Sequence, residues 1–204
     1  VPKGVMLTHF NLGANTRQAM PWVMEKLEKS ICGKASLCIA VPLFHAYGES
    51  CMLFGIYWGL RMIIARDPRD INYIVALLKE NRPFMAALVP TQLMKLQECE
   101  LPRMPIQILS GASHLPARVR EGIAEKVKMP VSEGYGLTET SAVTHLDLTG
   151  FTKITGFAAR QKYSIGLPVP DTEVKLIDEE SGEECQHGEA GHMYIKGPQL
   201  MKGY

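Results

Sequence analysis

Short apolar runs alternate along the chain with segments whose apolar residues recur at helical spacing. The runs SLCIAV, RMIIA, FMAALV, IQILS and PVSEGYG are typical of buried strands. Between them, DPRDINYIVALLKENRP opens on an Asp-Pro pair and places Ile71, Ile74 and Leu78 on one face. This pattern predicts a capped helix that packs on a sheet.

Further helices are predicted at 7–29, 49–60, 90–98 and 115–127. In the first, Thr8 or Asn11 can cap the start and Pro21 kinks or ends the helix; in the third, Thr91 is the expected cap. Continuously apolar strands separated by helices indicate parallel pairing with both faces covered. We therefore predict an α/β fold, a layered, mostly parallel sheet flanked by helices.

The pattern changes after Gly150, where no helical period remains. The segments TEVKLID and GHMYIKG alternate between apolar and polar residues, and a long Gly-containing and Glu-rich loop joins them. We predict two units: an α/β core over 1–150, and a linker with an incomplete β-rich subdomain over 151–204. The stretch 151–163 is expected to lack regular structure.

Composition narrows the classes of function. The 204 residues are 46% hydrophobic and carry a net charge of +1, so a basic surface for nucleic acid is not expected. Five cysteines without a CxxC pair indicate a reducing, cytoplasmic setting and no structural metal. The most apolar segment, CMLFGIYWGLRMIIA, is shorter than the ~20 residues of a membrane span and contains Arg61. Because the sequence begins VPKGVM, without an initiator methionine or a signal peptide, we expect a piece of a longer protein.

The segment EGYGLTET carries more chemistry than a turn requires. Its glycines allow close approach of the backbone to a ligand, and Tyr135 can stack on a base. Thr138 and Glu139 are expected at a helix start, where free N–H groups favour an anion, and a glutamate there can hold Mg²⁺ together with phosphate. The alternative is a capped helix after a turn.

Five motifs in this order, VPKGVMLTH, VPLFHAYG, SGASHLP, EGYGLTET and SIGLPVPDTEVKLID, resemble the adenylate-forming superfamily of acyl-CoA synthetases, luciferases and adenylation domains. Within it the chain is most similar to a long-chain fatty-acid CoA ligase, as an internal fragment of the large N-terminal domain. The resemblance implies ATP or AMP, Mg²⁺ and CoA as cofactors or co-substrates, and a small carboxylic acid as the substrate.

The resemblance also implies roles for individual residues. Thr138 would meet the α-phosphate, Glu139 would coordinate Mg²⁺, and His45 would stand beside the carboxylate; these three are the predicted catalytic residues. Tyr135 would stack on adenine, and Lys3 would lie near the phosphates unless it belongs to a frayed terminus. Small residues would line the adenine and acyl pocket, namely Gly111, Ala112, Ser113, Gly134 and Gly136. The helix 49–60 would wall the acyl tunnel or simply be core.

The implied reaction is attack of a carboxylate on the α-phosphorus of ATP, followed by transfer of the acyl group to CoA. Apolar residues around PLFHAYG favour a fatty acid. The chain lacks the glycine-rich half of the phosphate loop, the aspartate that holds the ribose, the hinge and the C-terminal lysine, so we expect it to be inactive alone.

Three alternatives follow from the residues. An aryl-acid ligase or a carrier-protein-loading adenylation enzyme fits the same motifs, and so does a non-catalytic nucleotide-binding fragment. An NAD-dependent enzyme is disfavoured because GxGxxG does not follow a first strand. Apolar residues expected at the surface, Phe10, Met52, Phe54 and Trp58, would favour a homodimer.

Overall fold

The structure is a computed structural model that describes residues 3–101, 105–151 and 164–204. Its α-helices are α1 (His9–Gln18), α2 (Pro21–Ile31), α3 (Ala46–Tyr57), α4 (Ile71–Asn81), α5 (Pro90–Leu96) and α6 (Ala117–Val127). Its strands are β1 (Ser36–Ile39), β2 (Arg61–Ile64), β3 (Met85–Leu88), β4 (Gln107–Ser110), β5 (Ser132–Tyr135), β6 (His145–Leu146), β7 (Leu167–Pro168), β8 (Glu173–Ile177) and β9 (His192–Lys196). Two 3₁₀ turns cover Thr138–Thr140 and Thr149–Phe151.

Seven strands form one sheet in the order β2-β1-β3-β4-β5-β6-β7. The pairs from β2 through β5 are parallel, whereas β5–β6 and β6–β7 are antiparallel. Strands β8 and β9 form a separate antiparallel hairpin, with Glu173 opposite Lys196 and Ile177 opposite His192. The predicted fold class is confirmed. Strand β7 lies beyond residue 150 and yet joins the main sheet; the division into two units at 150 stays a prediction.

Helices cover both faces of the sheet, as the apolar strands predicted. Alternate residues of β1 and β3 enter different core clusters, since Leu37 and Met85 belong to one and Cys38 and Ala86 to the other. The first cluster includes buried residues of α2 and α3, and the second includes buried residues of α4, α5 and α6. The carboxyl ends of the parallel strands are thereby held at one edge of the sheet.

The predicted helix 7–29 is two helices. Thr8 caps α1: its Oγ1 accepts from the Asn11 backbone N–H at 3.1 Å, and Asn11 Oδ1 accepts from the Thr8 N–H at 2.9 Å. Helix α1 ends at Gln18, and Met20 takes a left-handed conformation with φ 59°. Pro21 then occupies the first turn of α2, where its missing N–H costs nothing. Of the two predicted effects of Pro21, the kink does not occur, whereas the first helix does end just before it, and Pro21 starts the second helix.

Two further helix boundaries and one surface exposure were predicted wrongly. Helix α3 begins at Ala46, three residues before the predicted start, because His45 Nδ1 accepts from the Tyr47 N–H at 3.2 Å and caps it. Helix α5 is capped at Val89, with Pro90 in the first turn, so Thr91 is not the cap. Of the apolar residues expected at the surface, Phe10 is 70% exposed but Phe54 is buried.

The predicted irregular stretch 151–163 lies outside the described residues except for Phe151, which is buried. No helix among the described residues is long and apolar enough to cross a membrane.

Candidate functional site

A cleft opens at the carboxyl ends of β1, β4 and β5, between helices α1 and α3. It encloses about 110 Å³ and contains seven of the ten predicted site residues. These are His45, Gly111, Ala112, Gly134, Tyr135, Gly136 and Thr138. Three distant motifs, from PLFHAYG to EGYGLTET, thus meet in one place.

Tyr135 ends β5 and is fixed on its backbone side by Thr144. The Tyr135 carbonyl accepts from the Thr144 N–H at 2.9 Å and from its hydroxyl at 3.2 Å. The half-buried Tyr135 ring meets the His145 ring edge-on, with 5.9 Å between centroids. Burial lowers the pKa of His145, so this neighbour is neutral near pH 7. The arrangement presents an aromatic surface to the cleft.

Gly136 is required by the path of the loop that follows. A Cβ on this residue would lie 1.5 Å from the carbonyl oxygen of Ala142. The chain folds back here, because the Ala142 N–H donates to the Leu137 carbonyl at 3.1 Å. Glycine at this position therefore permits a close backbone crossing beside the cleft.

Thr138 and Glu139 lie in a 3₁₀ turn of three residues instead of the predicted helix start. The predicted helix start is therefore wrong, whereas the predicted contact of these residues with an anion stays a prediction. The exposed Thr138 lines the cleft. Glu139 does not line it; its Oε1 accepts from the Tyr204 hydroxyl at 2.9 Å, which raises the pKa of that tyrosine. Thr138 and Glu139 are adjacent in the sequence, but only Thr138 lines the cleft, whereas Glu139 contacts Tyr204.

Lys3 and Glu139 both contact Tyr204. The Lys3 ammonium is 4.7 Å from the centroid of the Tyr204 ring. The flanking backbone is paired: the Met6 N–H donates to the Gly203 carbonyl at 3.0 Å, and the Lys202 N–H donates to Met6 at 2.9 Å. Lys3 is exposed and does not line the cleft, but its neighbourhood is an ordered backbone ladder.

Only part of the SGAS segment lines the cleft. Gly111 and Ala112 line the wall, whereas Ser113 is exposed and does not. A Cβ on Gly111 would lie 3.2 Å from the Tyr47 ring, so the small residue leaves room for that side chain. The Tyr47 hydroxyl donates to the Leu109 carbonyl at 2.9 Å. Burial raises the pKa of Tyr47, and its phenol remains a donor.

Tyr47 was not among the predicted site residues, and neither was the polar face of α1. Asn11, Asn15 and Gln18 recur at helical spacing and are buried. Asn15 Nδ2 donates to the Val143 carbonyl at 2.7 Å, and its Oδ1 accepts from the Val143 N–H at 3.1 Å. The spacing of these three amides is the signal in the sequence that could have identified a buried polar contact.

The chemistry of the wall is neutral. Among the described residues that line the cleft, none is Asp, Glu, Lys or Arg. Cys51 lines it as well, and burial raises the pKa of its thiol to about 12, so it is not a nucleophile. The cleft can accept a flat aromatic group at Tyr135 and an apolar chain along α3.

Comparison with known proteins gives one consistent picture. A family model described as AMP-binding enzyme matches residues 1–204. The long-chain-fatty-acid–CoA ligase of Bacillus subtilis (strain 168) is 32% identical over 212 residues, a match that covers 100% of this chain and 35% of the relative. The 4-coumarate–CoA ligase-like 4 of Oryza sativa subsp. japonica is 29% identical and matches 99% of this chain and 36% of its own length.

Among solved structures, the O-succinylbenzoate coenzyme A synthetase (MenE) from Bacillus subtilis, in complex with ATP and magnesium ion, superposes with a TM-score of 0.76. It is 29% identical, and the match covers 100% of this chain and 40% of that protein. The chain thus spans about a third of the length of the curated relatives named above. With its whole length matched by the family model and three of its motifs gathered in one cleft, the chain belongs to the AMP-binding, adenylate-forming enzyme family.

Proposed function

We propose that the chain forms the adenylate- and acyl-binding part of an AMP-forming acyl-CoA synthetase. The observation that carries this proposal is the shared cleft, in which Tyr135, Thr138 and His45 meet beside the small residues of the SGAS segment. In the reaction, a carboxylate oxygen attacks the α-phosphorus of ATP and pyrophosphate leaves; the CoA thiol then attacks the acyl adenylate. Activity of this kind is proposed for a protein that also carries the further segments of the relatives.

Tyr135, Thr138 and His45 each have a task in the first step. Tyr135 stacks on adenine, and the glycines on either side of it let the base approach the backbone. The Thr138 hydroxyl, exposed to the cleft, donates to an α-phosphate oxygen. His45 keeps Nε2 available toward the carboxylate, because Nδ1 is used to cap α3. These groups act by positioning and by stabilising charge, as is general for transfer of phosphoryl-type groups.

Glu139 fits the proposed binding of Mg²⁺. One of its oxygens accepts from Tyr204, and the other has no partner among the described residues. Mg²⁺ is commonly held by one or two carboxylates together with phosphate oxygens and water, so a single carboxylate beside the cleft suffices. The bound ion would neutralise charge on the phosphates. Lys3 adds a cation on the same side, over the Tyr204 ring.

The neutral wall supports a fatty acid as the substrate. Helix α3 lines the cleft with Ala46, Cys51 and Phe54. No Asp, Glu, Lys or Arg is found among the described lining residues, so a second charged group on the acid would have no partner there. An alkyl carboxylate satisfies this environment best. An aryl acid is the alternative, since Tyr47 and Phe54 also offer aromatic contacts.

A binding measurement tests the proposal on this chain. We expect a non-reactive acyl-adenylate mimic to bind in calorimetric titration, Tyr135→Ala to weaken binding, and Glu139→Ala to remove any dependence on Mg²⁺. Base stacking is worth ~1–3 kcal/mol by alanine substitution, which is about a 5- to 150-fold loss for Tyr135→Ala. Tyr194→Ala, an exposed position on β9, and Glu125→Ala, exposed on α6, are the matched controls. Equal affinity in Tyr135→Ala and Tyr194→Ala would refute the stacking role.

Two activity assays complete the test. The chain alone is expected to release no pyrophosphate in response to a carboxylate, because it spans about a third of its relatives. The longer protein is expected to turn over alkyl carboxylates with a higher kcat/KM than aryl carboxylates of similar size. A preference for aryl acids would overturn the fatty-acid assignment and leave the adenylate-forming chemistry in place.

A further inference from the structure

A buried ionic cluster lies directly behind the loop that carries Tyr135. Arg120 Nη2 is 2.5 Å from Glu133 Oε2, and Arg120 Nη1 is 2.9 Å from Asp147 Oδ2. The three side chains are only 12%, 8% and 9% exposed. They come from three places: α6, the strand β5 and the residue that follows β6. One guanidinium therefore ties a helix to both strands of an antiparallel pair.

The cluster and Tyr135 are joined by that strand pair. The Asp147 N–H donates to the Glu133 carbonyl at 2.8 Å, and two residues further on, Tyr135 lies opposite His145. Asp147 is itself fixed, since its Oδ1 accepts from the Thr149 N–H at 2.9 Å and from the Thr149 hydroxyl. Any shift of Glu133 relative to Asp147 is thus passed along two residues of backbone to Tyr135.

Stability alone does not account for such a cluster. Buried ion pairs are often no more stabilising than apolar residues of the same volume, because both charges lose their hydration. The planar fork of an arginine does supply fixed geometry, since two parallel sets of donors reach two acceptors at once. A lysine keeps the charge but presents a single ammonium, which cannot reproduce the fork.

We propose that Arg120 is a positioning residue for the adenine-binding surface: through Glu133 and Asp147 it sets the register of β5 against β6 and so the orientation of Tyr135. This inference rests on the proposed function, because it assigns to Tyr135 the contact with adenine. Arg120 itself does not line the cleft.

Arg120→Lys is the informative variant, and Ile123→Val is its matched control. Ile123 is fully buried on the same helix but belongs to the second core cluster, so its shortening loosens α6 without changing the ionic cluster. We expect Arg120→Lys to weaken binding of the acyl-adenylate mimic about tenfold, the size of effect that outer hydrogen-bond partners have on the groups they orient. Ile123→Val is expected to leave the affinity within a factor of about two, consistent with additivity at distant sites.

A second readout does not depend on a ligand. Hydrogen exchange at the Thr144 amide reports its bond to the Tyr135 carbonyl, and exchange at the Asp147 amide reports the bond to Glu133. Both amides are expected to exchange faster in Arg120→Lys than in Ile123→Val. The two variants are compared after the exchange rates have been corrected for any difference in melting temperature. Should Arg120→Lys fail to fold, Asp147→Asn weakens one arm of the fork with almost no change in volume, and the same comparison applies.

The two proposals fail differently. If the parent chain binds no mimic, the proposed function is refuted for this chain, and the exchange rates still decide the role of Arg120. Equal exchange at Thr144 in the arginine variant and in the control would overturn the positioning role, as would an unchanged affinity in Arg120→Lys when the parent chain binds.

Discussion

Asn15 holds the far end of the loop that begins at Gly136, and its replacement tests that contact. Asn15 is 2% exposed, and its side chain makes two hydrogen bonds to the backbone of Val143, at 2.7 Å and 3.1 Å. Asn15→Ala removes both and leaves a backbone N–H and C=O of Val143 without these partners. Because Val143 also lines the cleft, the loss is expected to reach the ligand site.

The magnitude follows from the two bonds. Leaving a buried donor or acceptor unsatisfied costs ~1–3 kcal/mol, and because Val143 is only half-buried, its two groups are expected to cost less than twice the full penalty. We expect Asn15→Ala to lower the free energy of unfolding by about 2–4 kcal/mol. Asn81→Ala is the control: Asn81 Nδ2 donates at 3.1 Å to Leu77 within its own helix, and alanine offsets the loss by its higher helix propensity.

Urea unfolding followed by circular dichroism measures both variants. Asn15→Ala should shift the midpoint without a change in the slope, since the surface exposed on unfolding is the same. A difference of less than about 0.5 kcal/mol between Asn15→Ala and Asn81→Ala would refute the reasoning, because such a difference is within the usual range of surface substitutions.

Two other predictions concern the same region. Gly136→Ala would place a Cβ 1.5 Å from the Ala142 carbonyl oxygen, so a clear drop in melting temperature is expected. The control, Gly13→Ala, lies in open space on α1 and should stabilise the fold by about 0.5–1 kcal/mol. Equal melting temperatures of the two variants would contradict the close crossing. Burial lowers the pKa of His145 below its usual 6.5, so the unfolded chain binds the proton at a higher pH than the folded chain does. The free energy of unfolding should therefore decline as the pH falls below about 6.5 and level off below the pKa of the folded state. His145→Gln should lack this part of the decline when urea unfolding is measured at a series of pH values.

The core of the fold could be predicted because its determinants are local. Continuous apolar strands and helices with one apolar face each reveal their secondary structure within a few residues, and the parallel sheet follows from their alternation. Thr138 and Glu139 show where this reasoning stops. A helix start was predicted from the order of residues, but the chain turns back at Gly136 to cross Ala142, and only a 3₁₀ turn fits between them.

The polar face of α1 was missed for a different reason. Asn15 hydrogen-bonds the backbone of Val143, 128 residues away in the sequence, and Gln18 hydrogen-bonds the side chain of Gln199, 181 residues away. No pattern within the helix reveals such partners, although the helical spacing of its amides indicates that they share a face. By contrast, seven of the ten predicted site residues line one cleft, because the family motifs, unlike local periodicity, carry information about tertiary structure.

The loop from Gly136 to Val143 is held from both sides of the sheet. Asn15 of α1, a helix that contacts α3, fixes its end at Val143, and Arg120 of α6 fixes the strand before its start through Glu133. The glycines make the path possible but do not choose it, since glycine adopts many conformations. On our proposal the two anchoring side chains select the path, and a loop already fixed loses less conformational freedom when a ligand binds. The conformational freedom of Gly134 and Gly136 and the anchors that remove it are therefore parts of one arrangement, which under the proposed function holds the Tyr135 ring in place for a flat ligand.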